Sequence, residues 1–226
     1  MSLAADLLPL DAEVRRAARA LARAGLVQAF GHCSARIDDE RFLVCAARPM
    51  GLLGPHDRGS VVPVRGALPE GVLGEVRMHQ QVYRARPDVR AVCRVLSPRV
   101  MALAAMGATP RARHGFGAYF HPVVAHWPDP LLVRNDRAAA GVAEVLGEGC
   151  AVVVGVNGAL TVADGLPKAL ALAWFLEDAA RVELEVRAAG GAQHVVFASA
   201  DQAAQRATWD GRIAERMWEH LTAGFD

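Results

Sequence analysis

EVRMHQQVYRARPDVRAV, residues 75–92, is the stretch on which the fold turns. From Gly74 to Ala85 its apolar residues recur at helical spacing, and Pro87 ends the helix because proline disfavours helical backbone in the residue before it. Arg90 to Leu96 then reads as a short apolar strand, stopped by Pro98. Glu75 and His79 stand four residues apart and share one face of this helix. A helix, a tight Arg86-Pro87-Asp88 turn and a strand form one unit, and the rest of the chain can be placed around it.

On the N-terminal side, Asp11 to Gly25 predicts an amphipathic helix with Asp11 as its cap and Gly25 as its stop. Gly31-His32-Cys33-Ser34 reads as a glycine-marked turn where backbone amides and a hydroxyl converge on an anion. Two strands follow, Phe42–Ala46 and Ser60–Val64. On the other side, Pro110 to Pro130 holds four prolines and no clear period, which predicts an irregular excursion. Then come a helix over Asp136–Leu146, a strand over Cys150–Val156, a turn at Asn157-Gly158 and a returning strand over Ala159–Val162, together a hairpin. Leu166 to Ala189 predicts the longest helix. The tail predicts a strand over His194–Ala198 and a last helix carrying Trp209 and Trp218. Hairpins and helices in this order, with few βαβ units, point to one α/β domain over residues 1–226, a mainly antiparallel sheet covered by helices on both faces.

Composition narrows the function. Lys and Arg total 25 against 24 Asp and Glu, with no basic run interleaved with aromatics, so no nucleic-acid partner is expected. No uncharged apolar run of about 18 residues occurs, so no membrane span is expected. The first residues lack the basic segment of a secretion signal, and the chain reads as cytoplasmic. Cys33, Cys45, Cys93 and Cys150 are widely spaced, and the last three sit in apolar runs as buried thiols rather than disulfides or zinc ligands.

Gly25-Leu26-Val27, Phe30-Gly31-His32-Cys33-Ser34-Ala35-Arg36 and the 75–92 stretch, with Val152 to Gly158 and the Ala169–Ala180 helix, together resemble the class II aldolase/adducin family over about residues 12 to 190. The resemblance implies a three-layer α/β fold and a cyclic homotetramer with sites between neighbours. The variant Phe-Gly-His-x-Ser resembles the branch of pyridine-dicarboxylate decarboxylases, which shifts the expected substrate towards a small anionic oxo acid or carboxylated ring. The family holds a divalent metal with one acidic residue, a His-x-His and a His-Gly. Carried over, these fall on Glu75, Arg94-Val95-Leu96 and Asn157-Gly158, so the acidic residue remains and the three imidazoles are gone. No metal and no other cofactor is therefore expected.

Two functions follow from that replacement. In the first, Arg94 takes over the cation's task, since a guanidinium is permanently charged and holds carboxylates bidentately. Glu75 then moves the proton in metal-independent lyase chemistry, a decarboxylation or retro-aldol cleavage. His32, Ser34, Arg48, His79 and Asn157 are the expected substrate-binding residues, and Tyr119 is expected to reach the pocket of an adjacent subunit. In the second, the fold is a non-catalytic adducin-like scaffold or anion-binding protein. His114, His121 and His126 form the remaining histidine cluster, at spacings that fit neither a helical nor a strand metal pair.

Overall fold

The 75–92 unit forms as read, and a seven-stranded sheet is assembled around its strand. The computed structural model describes residues 3–197 and 199–225. Strands β1 (His32–Arg36), β2 (Arg41–Val44), β3 (Ser60–Pro63), β4 (Ala91–Val95), β5 (Ala125–Trp127), β6 (Ala151–Val154) and β7 (Ala159–Ala163) lie in the order β3-β2-β1-β4-β7-β6-β5. Every pairing is antiparallel except β5 with β6 at one edge. The helices are α1 (Leu8–Arg23), α2 (Arg77–Ala85), α3 (Pro98–Ala105), α4 (Asp136–Leu146), α5 (Leu166–Ala188), α6 (Ala200–Arg206) and α7 (Ile213–Thr222).

Alternation along the strands sorts the interior into two layers. Cys33, Ala35, Cys93 and Val95 face α1, α3 and α5 in one apolar core. Phe42, Val92, Leu160 and Val162 face α2 and α4 in the other. Helix α5 is buried on most of its circumference, because sheet, α1, α3 and α7 all pack against it, which is why its Ala and Leu residues run nearly all round. The result is the α/β, three-layer arrangement with helices on both faces. Among the described residues no helix is long and apolar enough to cross a membrane.

Several local expectations change. Residues His32 to Ser34 lie in the interior strand β1, not in a turn, because Gly31 (φ 119°) makes the bend one residue earlier. Helix α1 begins at Leu8, so Asp11 lies inside it. Its buried carboxylate accepts from Arg15 at 2.8 Å, Arg58 at 3.0 Å and the Gly59 amide at 2.8 Å, tying α1 to the loop before β3. The irregular 110–130 segment contains β5 and a cis His121–Pro122 bond, and α3 precedes it. No strand forms over His194–Phe197, and Ala198 lies outside the described residues. Trp209 falls in the connection before α7, so only Trp218 rides on that helix. The four cysteines are free thiols, Cys33, Cys45 and Cys93 buried and Cys150 half-buried.

Candidate functional site

On β1, His32, Ser34 and Arg36 alternate with Cys33 and Ala35, so this strand's polar residues all face α2. Strand β4 pairs with it antiparallel, and His32 lies directly opposite Arg94. Helix α2 lays His79 and Tyr83, one turn apart, over this polar row. A hydrogen-bonded chain results. Tyr83 Oη lies 2.8 Å from Ser34 Oγ, Ser34 Oγ 2.6 Å from His79 Nδ1, and His79 Nε2 2.8 Å from His32 Nδ1. All four side chains are buried. Burial, with the nearby positive charge of Arg94, holds His79 down to about 3 and His32 well below the usual imidazole range. Both rings are therefore neutral at neutral pH. Burial likewise pushes the Tyr83 phenol far up, so it stays protonated.

Arg94 stands at the His32 end of the chain, opposite His32 across the β1–β4 pair. Its guanidinium is buried, and its two terminal nitrogens donate to backbone carbonyls, one to Val95 and one to Asn157 at 2.5 Å. Its Nε is buried with no partner among the described residues. Burial lowers its pKa to about 10, opposed by the charge of Glu75, so it remains a cation at neutral pH. The main-chain frame is tight: Gly158 (φ 91°) sets the β6–β7 turn against the Val95 carbonyl where a Cβ would collide, and a Cβ at Gly31 would come within 3.0 Å of the Arg94 carbonyl. Both glycines hold the ends of the strands close to the guanidinium.

The other expected site residues are spread around this centre. Glu75 sits in the 3-10 turn before α2 and accepts from Arg134 Nε at 2.9 Å; it makes no ion pair with Arg94 within 4.0 Å. Asn157 turns its amide outward to the Pro130 carbonyl at 3.1 Å, so only its backbone oxygen serves Arg94. The Ser34 hydroxyl is hydrogen-bonded to His79 and Tyr83. His79 likewise has both ring nitrogens engaged. Arg48 lies at the surface, paired with Asp57 at 2.5 Å. Tyr119 is on the opposite side of the sheet, its ring against Phe175 and Trp209 and its hydroxyl donating to the Thr208 carbonyl. His114 pairs with Asp178 at 2.7 Å and His126 lies 3.0 Å from the Gly155 carbonyl; with His121 they form no common site, and no group of three potential metal ligands occurs among the described residues.

The positions that would hold the family's metal do not suit a cation. A guanidinium stands where imidazole nitrogens would point, the Asn157 amide is bound elsewhere, and the remaining carboxylate is already neutralised by Arg134. The chemistry present is complementary to an anion: a buried positive charge with one unused N–H, beside a histidine that lines a small cleft under the 71–76 loop.

Two residues of this buried constellation were not among the site residues expected from sequence. Tyr83 ends the buried chain, and its place one turn beyond His79 was the signal for it. Arg36, two residues beyond Ser34, supports the Tyr83 end: its Nε donates to the Val89 carbonyl at 2.8 Å, its Nη2 to the Tyr83 carbonyl at 2.6 Å, and its guanidinium lies 4.7 Å from the Tyr83 ring centroid.

Comparison with known proteins follows the same lines. The chain is similar to 3,4-dihydroxyphthalate decarboxylase from Arthrobacter keyseri, 30% identical over 203 residues covering 78% of each chain. It is equally similar to the enzyme of that name from Terrabacter sp. strain DBF63, 30% identical over 205 residues covering 80% of this chain and 82% of that one. Among solved structures, L-fuculose-1-phosphate aldolase from Thermus thermophilus superposes with a TM-score of 0.72 at 28% identity, over 83% of this chain and 98% of the other. The L-fuculose 1-phosphate aldolase of Glaciozyma antarctica superposes at 0.78 with 22% identity, over 98% and 92%, a likeness of fold. Residues 12–184 match the Class II Aldolase and Adducin N-terminal domain, and the chain belongs to that family.

Proposed function

We propose that this protein is a lyase that decarboxylates a small anionic carboxylated ring without a metal, with Arg94 as the group that holds the negative charge. The observation that carries the reading is the unused Nε of a buried, charged Arg94 that has no carboxylate within 4.0 Å among the described residues. A carboxylate bound there would satisfy the nitrogen and neutralise the charge together, which is the complementarity an anion site requires. The decarboxylase names of the curated relatives support the reaction class, and 3,4-dihydroxyphthalate is the first substrate to assay.

On such a ring the residues would act as follows. Arg94 and His32 hold the retained carboxylate and the ring oxygen beside the other one. Glu75, whose charge Arg94 feels, takes the hydroxyl proton and returns it to the ring carbon bearing the departing carboxylate. The bond from that carbon to the carboxylate then breaks, its electron pair returns to the ring oxygen as phenolate, and carbon dioxide leaves; a solvent proton restores the hydroxyl. Arg94 stabilises the charge that builds up on the oxygen. Exposed Phe30, Leu131, Leu132 and Val156 flank this end of the sheet, and a homotetramer with sites at subunit contacts would cover them.

The test is carbon dioxide release from 3,4-dihydroxyphthalate by chelator-treated protein. Turnover retained after chelation supports the reading. Turnover that appears only on adding a divalent ion contradicts metal independence, and binding without turnover would favour the non-catalytic anion-binding alternative. Light scattering checks the assembly: a particle larger than a dimer is expected, and a monomer at micromolar concentration contradicts shared sites.

A further inference from the structure

We infer that Arg134 is a second substrate-binding residue, whose Nη1 and Nη2 take the departing carboxylate of a vicinal dicarboxylate while its Nε holds Glu75. The inference rests on the proposed decarboxylase reading. Arg134 lies in the connection between β5 and α4 and donates from Nε to Glu75 at 2.9 Å. Neither of its terminal nitrogens has a partner among the described residues, and the side chain is exposed. The two-pronged edge of the guanidinium, which matches a carboxylate, is therefore open. The side chain is nevertheless seated: Gly74, just before Glu75, leaves room for it, and a Cβ there would come within 3.3 Å of Arg134 Cγ. The same turn that serves Arg94 also anchors this segment, because Asn157 donates its side-chain amide to the Pro130 carbonyl at 3.1 Å while its own carbonyl accepts from Arg94 at 2.5 Å. Glu75 links the two arginines, bonded to one and electrostatically felt by the other.

The charge balance of the site asks for this second cation. A phthalate brings two negative charges to a place where Glu75 already supplies one, and Arg94 alone would face all three. Arg134 adds a positive charge where the proposed reaction needs it, since Glu75 must reach the ring carbon that bears the departing carboxylate and Arg134 is bonded to Glu75. The contact belongs to the ground state. As the carbon–carbon bond breaks, the carboxylate becomes neutral carbon dioxide and its attraction to Arg134 fades. Arg134 thus supplies affinity for a dicarboxylate and no acceleration, whereas Arg94 faces the charge that grows in the transition state.

The test is calorimetry of the full chain with phthalate and with terephthalate, which has the same charge but sets its carboxylates on opposite sides of the ring. The wild type should prefer phthalate. In Arg134→Gln the ratio of the two affinities should fall about tenfold, the worth of one charge-assisted carboxylate contact, whereas a change of overall charge alone moves both dianions together. For 3,4-dihydroxyphthalate, KM should rise about as much with kcat not reduced. An unchanged ratio overturns the inference, and so does a fall in kcat at constant KM, which would mean that Arg134 only positions Glu75. Arg94→Met separates this inference from the reading beneath it. If phthalate binds Arg94→Met as tightly as the wild type, or does not bind the wild type at all, the anion site fails and the inference with it. If Arg94→Met loses phthalate while Arg134→Gln keeps the ratio, only the role of Arg134 fails.

Discussion

Arg36 and Arg94 are both buried, 5% and 7% exposed, both face α2 from neighbouring strands, and neither has a carboxylate within 4.0 Å among the described residues. They stand at opposite ends of the same hydrogen-bonded chain and differ in one respect. Arg36 makes three bonds to the carbonyls of Tyr83, Arg86 and Val89, lies over the Tyr83 ring, and leaves no buried nitrogen without a partner. Its charge is absorbed by carbonyl dipoles that the Arg86-Pro87-Asp88 turn converges on it, so it acts as a staple between α2 and β1. Arg94 has two carbonyls and an orphaned Nε. A buried cation left incompletely satisfied is tolerated when something arrives to complete it. Under the proposed function, the difference separates a guanidinium that holds the fold from one that binds the substrate's carboxylate.

The sharpest way to break this contrast is kinetic. Arg94→Lys keeps the charge but loses the planar fork, and turnover of 3,4-dihydroxyphthalate should fall about 100-fold to 1000-fold, as when a transition-state donor is removed. A fall of less than tenfold would place Arg94 outside the chemistry. The second test is thermodynamic. Arg36→Met strands three buried carbonyls and should cost about 3 kcal/mol of unfolding free energy in urea, whereas Arg94→Met removes a poorly satisfied charge and should change stability by less than about 1 kcal/mol in either direction. Equal losses in the two variants would erase the distinction.

The histidines between the arginines sharpen the comparison through pH. His79 is held down to about 3 and His32 is also lowered, so between pH 6.5 and about 3 the unfolded chain binds more protons than the folded one. Stability must then rise with pH across that window and is lost as pH falls below 6.5, by up to about 1.4 kcal/mol per pH unit for each imidazole. Urea titrations at pH 7 and pH 5.5 should show this slope, and His79→Gln should flatten it; an unchanged slope would mean that His79 titrates normally. The smallest effect belongs to the rim. Glu75 and Arg134 form an ion pair whose arginine is 62% exposed, so Arg134→Gln should alter stability by less than about 1 kcal/mol, and a larger loss would make the pair structural.

The fold was legible where periodicity was strong. The 75–92 unit, the 151–163 hairpin and helix α5 all formed within a few residues of their expected bounds, because an apolar face in each had one layer to bury against. The site was legible in part. Arg94 and Glu75 came from positions in the family pattern, yet no spacing could show that Glu75 would meet Arg134, since their proximity depends on how the 72–76 turn packs against the start of α4. The alternation His32-x-Ser34-x-Arg36 held a strand signal with one polar inward face, and it was masked by Gly31, which reads as a turn and does make one just before the strand. Strand β5 was hidden by its length: three residues paired in parallel at an edge carry no detectable period. The orphaned Nε of Arg94 is a property of three-dimensional packing alone.

The most direct test of the central claim is a crystal structure of the protein soaked with phthalate, which carries the two carboxylates but lacks the ring hydroxyls. A carboxylate oxygen within about 2.7–3.2 Å of Arg94 Nε, with His32 Nε2 as a second donor, is the predicted result. Phthalate held only by surface arginines such as Arg48 or Arg134, with the Arg94 nitrogen still unpartnered at saturating concentration, would contradict it.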